Sequence, residues 1–159
     1  GSDTTKLGKT LPSQLNNVLA EETELNWVTG PFADKPVFPK NNKFKVINHQ
    51  APSALDELMI KSNYALTVFG VSFFELLYHG VPTVVFSPYG NKDDNELNVI
   101  EAEGLALVAK DELDAIKKLE KLMSDNILAE SLSVKAKKIM STPGDIKFTY
   151  VVSKLMESV

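Results

Sequence analysis

The sequence predicts an α/β fold built on a parallel sheet, and three observations lead to this prediction. Short apolar runs rich in β-branched residues alternate with stretches of helical periodicity along the chain. Two of these runs, Tyr64–Phe69 and Thr83–Phe86, flank a helical stretch that stops at Gly80-Val81-Pro82, and such a pair is typical of a βαβ unit. No linker, repeat or low-complexity segment divides the 159 residues, so we expect a single domain, residues 1–159.

Each strand is predicted from a short apolar run bounded by turn-forming residues. Glycine and proline mark several of these boundaries, for example Gly30-Pro31 after the first run and Gly70 after the third. The predicted strands are Leu25–Gly30, Phe44–Asn48, Tyr64–Phe69, Thr83–Phe86 and Leu105–Ala109.

The helices are predicted from apolar residues at helical spacing and from capping signals. The first begins near Leu7 and continues to about Glu22, because leucines recur at helical spacing over that stretch. The second starts at Pro52 or Ser53, which is followed by acidic residues suited to a first turn, and runs to Ile60. The others are predicted at Ser72–Tyr78, Asn95–Glu103, Asp111–Met123, Asn126–Met140 and Ile146–Glu157.

The charged residues restrict the classes of partner. The 17 basic residues are all lysine and stand against 21 acidic ones, giving a net charge of -4. There is no basic face or tail, so neither nucleic acid nor an anionic membrane is an expected partner. Without arginine the chain has no bidentate guanidinium, so an anionic ligand must be held by lysine, hydroxyls, backbone N–H groups and helix N-termini.

Composition also restricts the chemistry. The chain has no cysteine and only two histidines, which excludes thiolate catalysis and metal sites built from cysteine or several histidines. We therefore expect no cofactor and no metal. No apolar run reaches the length of a membrane span, and the first residues lack the layout of a signal peptide, so we expect a cytoplasmic protein.

The stretch from Gly70 to Glu75 is the most informative candidate site. It follows a predicted buried strand, and ligands of parallel sheets bind beyond the carboxyl ends of the strands. Gly70 would let the backbone approach a ligand, Ser72 could donate to a phosphate, and Glu75 could accept the hydroxyls of a ribose. The spacing of Ser72 and Glu75 is also that of a capping box, which explains both residues without a ligand.

A second polar segment follows the neighbouring strand. Asn95 could bind sugar hydroxyls, and Lys92 could supply a positive charge for a diphosphate. The alternative is an ordinary turn with an Asn or Asp helix cap, which generic turn chemistry favours. Asp93 and Asp94 lack a third partner at a recognisable spacing for a divalent cation.

Two further segments are weaker candidates. Gly1, Ser2 and Asp3 precede the first helix, whose unpaired N–H groups could bind an anion, although a cloning remnant followed by a simple cap is the alternative. His49 lies at the carboxyl end of a predicted strand, where its backbone could contact a base, or it is an exposed loop histidine. His79 is explained as a favourable charge at a helix C-terminus.

Taken jointly, three segments resemble a known family. They are Gly-Ser-Asp at 1–3, GVSFFELLYHGVPTVV at 70–85 and DDNELN at 93–98. Their order and spacing, over nearly the full chain, are similar to the carboxy-terminal, donor-binding half of GT-B-fold enzymes that handle UDP-sugars. The resemblance is closest to the UDP-sugar hydrolases of pseudaminic acid biosynthesis and related spore-coat polysaccharide proteins, and extends more distantly to the N-acetylglucosaminyl transferases of peptidoglycan synthesis.

This resemblance implies a Rossmann-like, doubly wound parallel sheet in three α/β/α layers with helices at the C-terminus. It also implies that the chain binds UDP or a UDP-sugar, as part of a glycosyltransferase or nucleotide-sugar hydrolase of surface-glycan biosynthesis. By this resemblance, Gly1, Ser2 and Asp3 would lie by the diphosphate, and the backbone of His49, Gln50 and Ala51 would face the uracil. Gly70, Val71 and Ser72 would approach the diphosphate and ribose. Glu75 would bind the ribose hydroxyls, and Asn95 would reach the sugar or the phosphate.

The chain departs from the pattern of this family in two respects. The first glycine of the opening loop and the strand before it are absent, and the segment after Gly70 is one residue shorter than in the peptidoglycan transferases. In the family the acceptor site and the catalytic base lie on a preceding domain. We therefore expect a piece of a two-domain protein that is inactive alone and has no catalytic residue. The alternative is a non-catalytic α/β interaction or regulatory domain that binds no nucleotide.

Overall fold

A computed structural model describes residues 6–141 as an α/β protein with parallel strands. The candidate residues Gly1, Ser2 and Asp3 and the helix predicted at Ile146–Glu157 lie outside the described residues. The chain divides into two compact units, Gly1–Leu58 and Met59–Val159, which we call the amino-terminal and carboxy-terminal units. No helix within residues 6–141 is long and apolar enough to cross a membrane.

The amino-terminal unit contains one helix and a two-stranded sheet. The helix is α1 (Leu7–Val18), and the strands are β1 (Glu24–Thr29) and β2 (Lys45–Gln50). The strands are parallel, and each residue of β1 pairs in register with one of β2 from Glu24–Lys45 to Thr29–Gln50. The long segment between the strands is the crossover that a parallel pair requires.

A proline inside α1 helps to hold this crossover. Pro12 has no N–H to donate to the Gly8 carbonyl one turn earlier. That carbonyl instead accepts a hydrogen bond of 2.8 Å from the N–H of Val37, which lies between the two strands. The residue that weakens the helix therefore frees an acceptor for the loop.

A row of aromatic rings also ties the crossover to the sheet. Trp27 of β1, the only tryptophan, contacts Phe38 edge to face with 5.6 Å between ring centroids. Phe38 in turn contacts Phe44, which is buried, at 6.3 Å. Edge-to-face pairs of this kind add to the stabilisation from buried area alone.

The carboxy-terminal unit holds the other sheet and most of the helices. Helix α2 (Leu55–Lys61) leads into it, and strands β3 (Ala65–Val68), β4 (Thr83–Phe86) and β5 (Leu107–Val108) form a parallel sheet in that order. The remaining helices are α3 (Val71–His79), α4 (Asp94–Glu103), α5 (Glu112–Ser124) and α6 (Asn126–Met140), and a 3₁₀ turn covers Gly90–Asp93.

Strand β4 is the centre of the core of this unit. All four of its residues are buried, and because successive side chains of a strand point to opposite faces, both faces of β4 are covered. Val85 belongs to a cluster with Phe73 and Leu77 of α3, Leu97 of α4 and Ala136 of α6. Helix α5 packs against β3 and β4. Strand β3 is only half-buried, and within residues 6–141 it pairs with β4 alone.

Most predicted elements are present, with ends shifted by one or two residues. Strand β4 and helix α6 have the predicted ends, whereas α1 ends at Val18 and not near Glu22. Leu19 adopts an extended conformation, so the apolar spacing continues where the helix does not. Strand β2 runs past the predicted end at Asn48, so His49 and Gln50 belong to the strand and not to a loop.

The prediction of an α/β fold with parallel strands is confirmed. The strands lie in two sheets, one of two strands and one of three, where we expected a single sheet. In each sheet the strand order follows the chain, so the reversal of order that defines a doubly wound sheet occurs within neither of them. The doubly wound arrangement, the GT-B identity and the single domain stay predictions.

Candidate functional site

The carboxyl edge of the three-stranded sheet brings two predicted segments together. Strands β3 and β4 are paired in register up to their last residues, and the Phe69 N–H donates a hydrogen bond of 2.9 Å to the Phe86 carbonyl. The chain leaves both strands at this level, so Gly70 and Ser87 begin neighbouring loops. The edge where parallel sheets bind ligands therefore carries both polar segments of the carboxy-terminal unit.

Gly70 occupies a position where the fold itself does not require glycine. Its backbone is extended, with φ 160° and ψ -167°. A Cβ atom built on Gly70 would meet no heavy atom of the described part of the chain within 4 Å. The fold thus leaves open space beside this backbone, which is the condition for a ligand to approach it closely.

Ser72 and Glu75 do not form the capping box that their spacing allows. Helix α3 begins at Val71 with Gly70 at the N-cap, so Ser72 is the second residue of the helix and not its cap. Within the described part of the chain neither side chain forms a hydrogen bond. The capping-box explanation is therefore wrong here, and an exposed hydroxyl and a half-buried carboxylate are left in the first turns of α3.

Two hydrogen bonds order the loop after β4. The Ser87 hydroxyl donates to the Asp93 carboxylate at 2.5 Å and accepts the Tyr89 N–H at 3.2 Å. The Lys92 ammonium lies 5.7 Å from the centroid of the Tyr89 ring. Gly90, in the same loop, adopts a φ of +66° that few other residues tolerate.

The sequence analysis did not single out Ser87 and Tyr89. Ser-Pro-Tyr-Gly has the composition of an ordinary turn, and nothing in the sequence indicates that the serine hydroxyl closes the loop onto Asp93. The signal that could have found them is their position directly after the apolar run Thr83–Phe86. A loop at that position is where binding residues concentrate.

Asn95 lies close to this loop but is less free than Ser72 and Glu75. It is the second residue of α4 and is exposed, and it already interacts within the chain. The Asp93 carboxylate is held by Ser87, and no group of three or more acidic or histidine side chains within residues 6–141 could hold a metal ion.

Charged side chains stabilise the end of β5. The Lys118 ammonium donates to the Val108 carbonyl at 2.5 Å and to the Asp114 carboxylate at 2.9 Å. Burial raises the pKa of Asp114, but the hydrogen bonds from Lys118 and from the Lys110 N–H, with the positive charges of both lysines, lower it, and the net pKa lies below the ordinary value.

The candidates in the amino-terminal unit lie at the carboxyl end of β2. His49 is half-buried within the strand, so the alternative of an exposed loop histidine is wrong. Ala51 has a φ of +43°, which is unusual for a residue with a side chain. All three residues form hydrogen bonds with β1 or with Gly30, which follows it. His49 Nε2 lies 2.9 Å from Asn26 Oδ1, and Gln50 Nε2 donates to the Gly30 carbonyl at 3.0 Å. The Ala51 N–H donates to the Thr29 carbonyl at 2.8 Å. A contact with uracil would have to use other groups of these residues.

A second charged pair lies at the opposite end of this sheet. The Lys45 ammonium lies 2.7 Å from the Glu24 carboxylate, and its hydrogen bond and charge lower the pKa of Glu24. Both side chains are largely exposed, so the pair contributes little to stability.

No protein-family model matches the chain, and no curated protein gives a significant match. The likeness to UDP-sugar enzymes rests on the three sequence segments and on the chemistry of the sheet edge, and it stays a proposal.

Proposed function

We propose that the chain binds UDP or a UDP-sugar as the donor-binding domain of a glycosyltransferase or UDP-sugar hydrolase. The observation that supports this most directly is the open space beside the Gly70 backbone, next to a serine and a glutamate that have no partner within residues 6–141. An internal structural role explains none of these three features. Their position at the carboxyl edge of a parallel sheet is where α/β proteins bind nucleotides.

The geometry of α3 supports the proposed contacts. The diphosphate lies against Gly70 and the first N–H groups of the helix, which lack intrahelical acceptors and carry the positive end of the dipole. Glu75 accepts the ribose hydroxyls. Ser72 and Glu75 are about 4.5 Å apart along the helix axis, so one nucleotide can reach both. Asn95, on the neighbouring loop and helix, reaches the sugar or the phosphate.

This assignment gives the chain one part of a reaction. Transfer or hydrolysis at the anomeric carbon requires the leaving diphosphate to be stabilised, and oriented N–H groups can do this. The chain would hold the donor and stabilise the leaving UDP. The residue that activates water or an acceptor hydroxyl would come from a second domain, so we expect no turnover by this chain alone.

The test compares ligands that differ in a single group. Isothermal titration of the full chain with UDP, ADP and 2′-deoxy-UDP should show that UDP binds more tightly than either analogue. In Glu75→Gln the preference for UDP over 2′-deoxy-UDP should be lost, with a fall in UDP affinity of about tenfold, because a hydrogen bond to a charged group is removed. Gly70→Ala should also weaken UDP binding by filling the open space.

The controls separate binding from folding. Glu120→Gln removes an exposed carboxylate on α5 and should bind UDP as the wild type does. Both site variants should keep the wild-type melting temperature, because within residues 6–141 the Glu75 side chain forms no hydrogen bond or ion pair and a Cβ on Gly70 meets no other atom within 4 Å. A folded Glu75→Gln variant with an unchanged UDP preference would show the ribose assignment to be wrong.

The alternative function, an interaction domain without nucleotide binding, is favoured by a different surface. Ile127 and Val134 of α6 are 83% and 58% exposed and, with Ser131, line a shallow groove. Exposed apolar residues that lie together often mark a protein-binding face. A well-folded chain that binds neither UDP nor ADP would favour this alternative.

A further inference from the structure

A nucleoside diphosphate brings negative charge that the proposed site must balance. The chain has no arginine, so the permanently charged side chain that it can itself offer is a lysine. Helix N–H groups supply only partial charge. The lysines closest to the carboxyl edge of the three-stranded sheet are therefore the ones to compare.

Two of these lysines are already engaged. The Lys118 ammonium is bonded to the Val108 carbonyl and to Asp114, and the charge of Lys110 acts on the same carboxylate. Both lie beside the end of β5, which is separated from β3 by β4. Their charge is thus partly neutralised and one strand further from the loop that begins at Gly70.

Lys92 differs in both respects. It lies in the loop after β4, the strand that pairs directly with β3, and it is exposed. Within residues 6–141 it forms no ion pair, and its described neighbour is the Tyr89 ring. A ring face attracts an ammonium without using its N–H donors, so these stay available to an anion.

Within residues 6–141 neither of the neighbouring acidic groups forms an ion pair with this ammonium. The Asp93 carboxylate accepts a hydrogen bond from the Ser87 hydroxyl. Asp94 is in the first turn of α4, where the helix dipole favours a negative charge. The loop closed by Ser87 and Asp93 thus fixes the backbone that presents Lys92.

We propose that Lys92 is the phosphate-binding cation of this site, and that the Tyr89 ring and the loop closed by Ser87–Asp93 position it. The proposal rests on the proposed function. It adds Lys92, which lies outside the three segments that resemble UDP-sugar enzymes, to the proposed contacts.

The test separates charge from nucleoside recognition. In the full chain, Lys92→Met should weaken UDP binding by about tenfold, because a charge-assisted hydrogen bond is lost. Uridine, which carries no phosphate, should bind Lys92→Met and wild type equally in an NMR chemical-shift titration. Lys110→Met, the matched control, should leave the affinity for both ligands unchanged. Added salt should weaken UDP binding to the wild type more than to Lys92→Met.

Two variants of Tyr89 test whether its ring positions the Lys92 ammonium. Tyr89→Leu should weaken UDP binding by about threefold, and Tyr89→Phe should keep wild-type affinity, because the attraction comes from the ring. The proposal would be overturned if Lys92→Met and wild type bound UDP equally well. It would also be overturned if Lys92→Met lost as much affinity for uridine as for UDP. If the wild type binds neither UDP nor ADP, the proposed function fails and this inference fails with it. If the wild type binds UDP and Lys92→Met binds it equally well, this inference fails alone.

Discussion

Asp114 is the residue at which charge and burial oppose each other most clearly. Its carboxylate is mostly buried and is held by two lysines through the Lys118 ammonium and the Lys110 N–H. The resulting pKa lies below the ordinary value. In the folded protein, the ionised form is therefore favoured more than in the unfolded chain.

This shift predicts an acid-dependent loss of stability. Because the pKa of Asp114 is lower in the folded protein, the stabilisation from its ionised carboxylate is complete above the unfolded pKa and is lost as pH falls through the folded pKa. Asp114→Asn should lower the free energy of unfolding by about 1 kcal/mol at neutral pH. The difference from wild type should shrink in acid, as measured by urea unfolding over a pH series. Asp34→Asn, in an exposed loop, is the control, and a difference that does not change with pH would contradict the assignment.

Ser72 and Glu75 show where residue-level prediction stops. Their spacing fits a capping box and a ligand site equally well, and the choice depends on whether the helix begins at Val71 or at residue 73. Sequence patterns place helix ends only to within a residue or two. The candidates themselves were predictable, but the absence of hydrogen bonds from their side chains to other groups of residues 6–141 was not.

At the scale of elements, the helix ends with a strong local signal were predictable. Gly80 and Gly104 directly follow α3 and α4 and adopt the left-handed conformation that is common for a glycine after a helix. The Asp125 carboxylate accepts the Leu128 N–H at 2.9 Å and fixes the start of α6 at the predicted residue. Helix α1 lacks such a signal at its end, and apolar spacing alone carried the prediction beyond Val18.

Two glycines give a matched test of this view. Gly80→Ala should destabilise the fold by about 1 to 2 kcal/mol, because its φ of +68° is unfavourable for a residue with a Cβ. Gly70→Ala, with an extended backbone and open space, should leave the urea midpoint unchanged. The new Cβ at residue 80 would also clash with the flexible Lys137 side chain. If Lys137→Ala restored the stability of Gly80→Ala, the contact with Lys137, and not backbone strain, would cause the destabilisation.

At the scale of the whole molecule, the class of fold was predictable and the pairing of strands was not. Strands can be located from apolar runs, because a buried strand needs apolar residues within one short stretch of sequence. Which strands become neighbours depends on contacts between distant residues, which a single sequence does not show. The five predicted strands are therefore present, but in two sheets. The candidate residues accordingly lie in two units, with His49, Gln50 and Ala51 in one and Gly70 to Asn95 in the other.

The distribution of burial predicts unequal protection of the two sheets. All of β4 is buried, whereas only Thr29 is buried among the residues of β1 and β2. Hydrogen exchange followed by mass spectrometry should find the slowest amides in peptides covering Thr83–Phe86. Peptides from Glu24–Thr29 and Lys45–Gln50 should exchange earlier. Equal protection of both sheets would mean that they open only together.

The contact between Trp27 and Phe38 has a practical consequence for spectroscopy. Because the chain has a single tryptophan and it lies in β1, intrinsic tryptophan fluorescence reports only on the amino-terminal unit. Far-UV circular dichroism is dominated by helices, most of which belong to the other unit. One denaturation series recorded with both probes therefore measures cooperativity directly, without labels. Superimposable curves mean a single cooperative domain, and separated curves mean two independently melting parts.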